Sequence, residues 1–505
     1  GLIAIAAGTY SEDVLVASKP VRLEGVCPEK VIIMGTGQEA TDCAAAALCI
    51  RDTAAGTEVR GVSLSGAGRG VFVAYADQLL IDQVHVHDAA FRGIVVQDLV
   101  GPITVRGSLI EHNHEIGLFS ADADASIEAS VVRATLPREA DQAFGRGIVI
   151  QLDCSETPTG VVCDPAARSS ATITGSVVEQ NHDIGLLVGA SDARVEGSVV
   201  RTTQPDASGE GGFGIDITES CFDTATGVAC DPASRASAVV RGSWIDQNHA
   251  AGIFVSASDA SVEASVVRDT SPSSVEDGRG ISVQGCGPDT GCATEGRANV
   301  NVIRSLVQNN HGAGVAISDA DAILEGLVVR SNSPIEPPRA HGISVNPSCT
   351  NAPGGGITCN PALRAHATIT GSLVEHTHEV GLLIAGSDAN VEASIIRATS
   401  PRPGDGLFGD GVVVARYFAP AAATITRSRI DDSARAGLSS FGAFVALGST
   451  HIRCAGIPLT GDPFNGQDFV LEDRGDNRCG CPNADGPCRS VSAGLEPPQP
   501  LPPVP

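Results

Sequence analysis

The sequence predicts an all-β chain wound as a parallel β-helix, a solenoid of roughly 15 rungs at the strand spacing expected for stacked β-structure. Three observations predict it: an internal repeat, a fixed spacing inside that repeat, and apolar runs of strand length. The segment GSLIEHNHEIG (Gly107 to Gly117) returns as GSVVEQNHDIG (Gly175 to Gly185), GSWIDQNHAAG (Gly242 to Gly252), RSLVQNNHGAG (Arg304 to Gly314) and GSLVEHTHEVG (Gly371 to Gly381), and in worn form as RSRIDDSARAG (Arg427 to Gly437). A second motif lies between these copies, as in VEGSVVRTT and VEASIIRAT. Five times out of five the offset from first to second motif is 22 residues: Ser108 to Ser130, Ser176 to Ser198, Ser243 to Ser265, Ser305 to Leu327 and Ser372 to Ser394. The return leg varies from 34 to 46 residues. A fixed period with variable insertions is the signature of a solenoid that carries its insertions on one side.

Each motif contains short runs of Val, Ile and Leu bounded by Gly, Asn, Ser and Asp, none long enough for a helix. VEGSVVRTT reads as two short strands meeting at a corner, and a third strand follows at Gly185 to Gly189 or Gly214 to Ile217. Three strands and three corners make one rung, about 4.8 Å from the next, so the expected rod is about 75 Å long.

Stacked rungs predict ladders. Ten of eleven rungs from Ser108 to Ser428 place Ser before the first corner, Leu327 being the exception. At the next corner Asn113, Asn181, Asn248 and Asn310 alternate with Thr135, Thr203 and Thr270, and their side chains can satisfy backbone groups of the turn. A charged row alternates in sign: Glu111, Arg133, Glu179, Arg201, Asp246, Arg268. Opposite charges on neighbouring strands attract, so this row is expected to enforce register, with at most ~1 kcal/mol per exposed pair.

The opening IAIAAGTYSEDVLVASKPVRLEG (Ile3 to Gly25), together with the repeat array, resembles the right-handed parallel β-helix proteins of the pectate-lyase-like superfamily, secreted bacterial type, over about residues 1–450. That resemblance implies a right-handed, single-stranded helix. It implies no one activity, because this fold hosts many functions. Relatives use calcium-binding carboxylates with an Arg or Lys base, clusters of Asp, or two Asp with Gln and Arg. No such motif is matched here; Gln97-Asp98 alone is too short to count.

The net charge of −26 argues against nucleic acid and anionic membrane surfaces. No apolar run reaches transmembrane length, so an integral membrane protein is not expected. Gly1 already falls within a strand-like rung, which suits a mature or trimmed chain. Eight of the 15 cysteines form local pairs at equivalent places in successive return legs: Cys154 with Cys163, Cys221 with Cys230, Cys286 with Cys292, and Cys349 with Cys359. Each insertion brings two Cys and no nearby His pair, which favours disulfides in an oxidising compartment over zinc. Cys454, Cys479, Cys481 and Cys488 are expected to pair within a C-terminal cap, in an unassigned order, and Cys27, Cys43 and Cys49 leave one thiol over. The expected divisions are opening rungs over 1–102, the two-rung repeat array over 103–440, a Cys-rich cap over 441–493 and a Pro-rich end or linker over 494–505.

Candidate site residues fall among the histidines, the acids and the breaks in the repeat. His114, His182, His249, His311 and His378 follow the corner, and His85/His87 form an H-x-H. Equivalent histidines stand two rungs apart, about 9.6 Å, too far for common ligation. Corner acids Asp124, Asp192, Asp259, Asp321 and Asp388 recur, as do Arg168, Arg235, Arg297 and Arg364. Five equivalent copies read as turn chemistry and ion pairing, because an active site is singular. No cofactor or metal is expected; calcium at the acidic edge is the open alternative. Residues that break the pattern are the better catalytic candidates: Asp216 replaces Val149, Ser282, Ser344 and Val413, and Asp246 replaces Glu beside Trp244. Phe144, Phe213 and Phe408 share an F-G setting and are expected to fold back over the rung. Aromatics are scarce for a sugar cleft. The favoured expectation is therefore an extracellular or cell-surface bacterial rod, structural or adhesive and non-catalytic, which binds polysaccharide or a surface protein. The alternative is a carbohydrate-active enzyme, a polysaccharide lyase or glycosidase. Oligomeric state is not legible in the sequence.

Overall fold

The computed structural model describes residues 1–505 apart from 39–42, 100, 158–159, 225–226, 275–276, 288–291, 293–294, 334–339, 352–356, 484 and 502–505. The chain divides into two compact units, Gly1–His249 and Ala250–Pro505. Every regular element among the described residues is a strand. No helix is long and apolar enough to cross a membrane.

In the first unit each rung contributes one strand to each of three parallel sheets. A representative rung is Asp192–Glu196, Val199–Arg201 and Phe213–Thr218. These strands pair in register with the rung before: Val195 opposite Ile173, Val200 opposite Val178, and Ile215 opposite Leu186. All six side chains point inward and are essentially inaccessible to water. Stacked Val, Ile and Leu residues thus form the continuous core that no single rung could bury.

The second unit repeats this plan, for example in Asp388–Glu392, Ile395–Arg397 and Asp410–Ala415. Its strands also stack in register, with Val391 opposite Ile369, Ile396 opposite Val374 and Val412 opposite Leu382.

The glycine that closes each first motif opens the third strand. At Gly185 a side chain would meet the Gly214 carbonyl at 2.7 Å and Thr203 Oγ1 at 2.8 Å, so only hydrogen fits. The corner residues bond as ladders. Asn181 is fully buried. Its Nδ2 donates to the Val132 carbonyl (3.2 Å), and its Oδ1 accepts from the Thr135 amide (3.1 Å). Asn113 does the same for Val86 and Ala89, Asn248 for Val200 and Thr203, and Asn310 for Val267 and Thr270. Serines link rung to rung, the Ser176 amide donating to Ser198 Oγ at 3.2 Å. In the charged row Arg133 pairs with Glu111 and Arg201 with Glu179, both at 2.6 Å.

Seven disulfides occur among the described residues. The return-leg bridges are Cys154–Cys163, Cys221–Cys230, Cys286–Cys292 and Cys349–Cys359. Three of them staple antiparallel hairpins, such as Cys154–Thr157 with Gly160–Cys163, a shape that the Cys spacing alone does not specify. Cys43–Cys49, Cys454–Cys481 and Cys479–Cys488 complete the set, and Cys27 is a free thiol. This disulfide density suits an oxidising compartment.

The Pro-rich segment does not run out as a free end. Leu495 packs against the apolar cluster of Val380, Val413, Tyr417 and Phe441, and Leu501 packs on Ala313 and Ala316, all within the second unit.

Candidate functional site

The third sheet of the first unit shows a second pattern on its outer face. Strand alternation turns Ile215 and Ile217 into the core and Asp216 outward. Asp216 ends a register row that is otherwise apolar: Phe72, Val95, Phe119, Val149 and Leu187. Above it lies a cleft of about 390 Å³. Leu187 and Asp216 form its floor. Phe144, Arg146 and Ile184 line one side, and Glu219, Ser220 and Cys221 another. Thus the two disulfide hairpins that begin at Cys154 and Cys221 both border the cleft.

Asp216 is 9% exposed, and its Oδ1 has no hydrogen-bond partner. Burial pushes its carboxyl up to about 7; Arg146 opposes that rise, and the charges of Asp183 and Glu219 add to it. Arg146 donates from Nε to Asp183 Oδ2 at 2.6 Å, with its guanidinium 4.7 Å from the Phe144 ring centre. Arg138 sits at the same distance from that ring, so Phe144 is held half-buried between two guanidiniums. Phe408 is clamped likewise by Arg402 and Arg435, at 5.0 and 4.8 Å. A carboxyl that titrates near neutrality, unpartnered and facing a cleft, can hold or deliver a proton.

Asp246 lies elsewhere. It is buried in the second sheet, opposite Arg201 in the charged row, so Asp216 and Asp246 occupy different faces and form no acid pair. The corner histidines bond backbone carbonyls: His114 to Pro137, His182 to Thr135, His249 to Thr203 and His311 to Thr270, at 2.8–2.9 Å. His85 faces Glu111 (3.0 Å) and His87 faces Ser63 (2.7 Å). The recurrent acids Asp192 and Asp321 pair with Arg168 and Arg297.

A model described as "Right handed beta helix region" matches residues 159–333. No curated protein matches the sequence. Solved structures do. The mannuronan C-5 epimerase AlgE4 A-module of Azotobacter vinelandii is 14% identical, with 65% of this chain and 86% of that one covered, at a TM-score of 0.42. The periplasmic alginate epimerase AlgG is 10% identical over 82% and 78%, at 0.39. An alginate lyase from Paenibacillus sp. is 14% identical over 66% and 88%, at 0.34.

The chain folds as a right-handed parallel β-helix.

The expectation of a non-catalytic structural or adhesive rod is corrected here. The solved structures similar to this β-helix are named as enzymes. The first-unit cleft also holds a buried carboxyl, Asp216, whose Oδ1 has no hydrogen-bond partner.

The second unit of the β-helix holds a polar cluster on the outer face of its own third sheet, and sequence reasoning missed it. His341, Glu379 and Asp410 are fully buried. His341 Nε2 lies 3.7 Å from Glu379 Oε2, and Arg402 lies 3.7 Å from Glu379 Oε1. Asp410 accepts from Arg435 Nε (2.9 Å) and from Ser439 Oγ (2.9 Å). A signal was present. The acid after each corner His in HEIG, HDIG and HEVG is Glu115, Asp183 or Glu379. Each of the three holds an Arg on the outer face: Arg92, Arg146 and Arg402 respectively.

Proposed function

We propose that this β-helix is an extracellular carbohydrate-active enzyme that processes a polysaccharide in the first-unit cleft, with Asp216 as the proton-transfer group. One observation carries the reading: Asp216 breaks an apolar outward row and faces the cleft unpaired, at a pKa near neutrality. Glycosidic bond cleavage, by hydrolysis or by elimination, needs a proton on the departing oxygen. A carboxyl still protonated near pH 7 supplies it as the C–O bond breaks. The outward row runs from rung to rung, so a linear polymer can follow it, while Arg146 and the Glu219 side border the reacting point. Arg146 is engaged by Asp183 and so acts as a fixed hydrogen-bond donor rather than a mobile counter-ion.

The test is a panel of acidic and neutral polysaccharides with and without calcium. New reducing ends mark hydrolysis, and 4,5-unsaturated products absorbing in the ultraviolet mark elimination. Asp216→Asn should lower turnover by about 10²-fold or more, as expected for loss of a general acid. Turnover unchanged in that variant rejects the assignment.

A further inference from the structure

The outer face of the second unit's third sheet is closed by the chain's own C-terminal segment, and the chemistry under that segment is wrong for a permanent seal. The register row Ser282, Ala316, Ser344, Leu383, Val413 and Ser439 forms the floor. In the neighbouring column Ala313, His341, Val380 and Asp410 stack one above another. Leu501 sits on Ala313 and Ala316, and Leu495 packs with the cluster containing Val380. The segment Leu495–Leu501 therefore crosses the rung of His341, which pairs with both.

Side chains of the second unit hold the strap. Asp462 accepts from Ser492 Oγ (2.6 Å) and from the Gly494 and Leu495 amides (3.0 and 3.3 Å). Arg435 donates to the Glu496 carbonyl (3.0 Å), Tyr417 Oη donates to the Pro497 carbonyl (3.2 Å), and Gln499 Nε2 donates to Tyr417 Oη (3.2 Å). Pro497, Pro498 and Pro500 have no N–H, so the strap mostly offers acceptors. The floor beneath is polar: Glu379 has His341 and Arg402 each at 3.7 Å, close enough for ion pairing but beyond hydrogen-bond distance. Neither nitrogen of His341 makes a hydrogen bond, nor does Glu379 Oε1, although both side chains are fully buried. Groups left so cost stability, and a cover that served only to seal a sheet would lie on apolar residues.

We infer that this face is a second glycan-binding groove, which the strap Leu495–Leu501 occupies in cis and must leave before a ligand enters. A hydroxyl-rich chain supplies both donors and acceptors, and so satisfies the groups that a proline strap cannot. The strap belongs to no sheet, and it can lift without breaking a rung. The glycan as ligand rests on the function proposed above; closure of the groove does not.

The experiment compares three forms in an Asp216→Asn background, so that nothing is cleaved: the full chain, a chain ending at Gly494, and Leu501→Asp. Binding to alginate, polygalacturonate and a neutral β-glucan is measured by affinity electrophoresis and calorimetry. The shortened chain and Leu501→Asp should bind at least one polymer about tenfold more tightly than the full chain, and the free peptide LEPPQPLPPVP should reverse the gain. Equal affinity of all forms for every polymer overturns the proposal. Should the shortened chain fail to fold, hydrogen exchange on the intact chain decides. Saturating glycan should speed exchange at the Gln499 and Leu501 amides, and unchanged exchange overturns the proposal. Loss of turnover without any strap effect defeats only this inference; a strap effect without turnover in the parent chain defeats only the catalytic reading.

Discussion

Arg146 is committed to Asp183, at 2.6 Å, and not to Asp216. That preference leaves a buried carboxylate without a salt bridge, which is why the Asp216 acid is raised to about 7. Asp183 therefore sets the Asp216 proton twice, once by its own charge and once by holding the cation away. Replacing Asp183 by Asn should lower the Asp216 pKa on both counts. A general acid is lost as pH rises through its pKa, so the alkaline limb of the pH–rate profile should move to lower pH by about one unit, the scale of a single neighbouring charge. An unmoved limb means that the limb belongs to another group.

Asp216 also imposes a pH dependence on stability. Its folded-state pKa lies above its unfolded value, so between about pH 4 and pH 7 the folded chain keeps a proton that the unfolded chain releases. Stability contributed at this site therefore falls as pH rises through that window. Asp216→Asn should unfold like the parent near pH 4 and be more stable above pH 7, with an upper bound of about 4 kcal/mol from a shift of about three pKa units. Denaturant midpoints at the two pH values measure it. A variant less stable than the parent at pH 8 contradicts the burial argument.

The two ladders should differ sharply in worth. Asn181→Ala leaves the Val132 carbonyl and the Thr135 amide without their partner in a dry corner, at about 1–3 kcal/mol each. Glu179→Gln weakens a pair whose Arg201 is half exposed, and should change stability by less than about 1 kcal/mol. Equal losses in chemical denaturation would show that the charged row matters more than its exposure implies.

Thiol titration under denaturing, non-reducing conditions should find one reactive group, at Cys27. Alkylation followed by mass mapping should place the label on that residue alone. Eight or more thiols would mean that the return-leg bridges do not form.

Much of the fold is legible because it is periodic. Ser108, Asn113 and Gly117 recur at fixed offsets, and each recurrence reports the same corner or the same crowded start of the third strand. Asp216 is legible for the converse reason, as a break in an apolar column. The cleft around it is not, because Phe144, Arg146 and Glu219 come from return legs of unequal length whose path no period fixes. His341 and Asp410 are hidden because their column elsewhere holds apolar residues and Arg alike, so neither reads as an exception. The Pro-rich segment reads as extended from its composition, but composition does not say which surface it lies on. The corner histidines were visible and chemically suggestive, yet a carbonyl within 2.9 Å accounts for His182 and His249.

The corner asparagines work in one direction only. Asn181 holds Val132 and Thr135, which belong to the rung before it, and Asn248 holds Val200 and Thr203 in the same sense. Asn alternates with Thr at this corner, and the Thr135 and Thr203 hydroxyls make no such bond, so it is every second turn that is finished only when its successor has been synthesised. A nascent chain would set hard in pairs of turns behind its growing end. Pulled from its C-terminal side, the unit should peel back in steps of two turns, since removing an Asn turn strips the latch from the Thr turn beneath. The solenoid has a mechanical polarity, written into it by one amide side chain in every two turns.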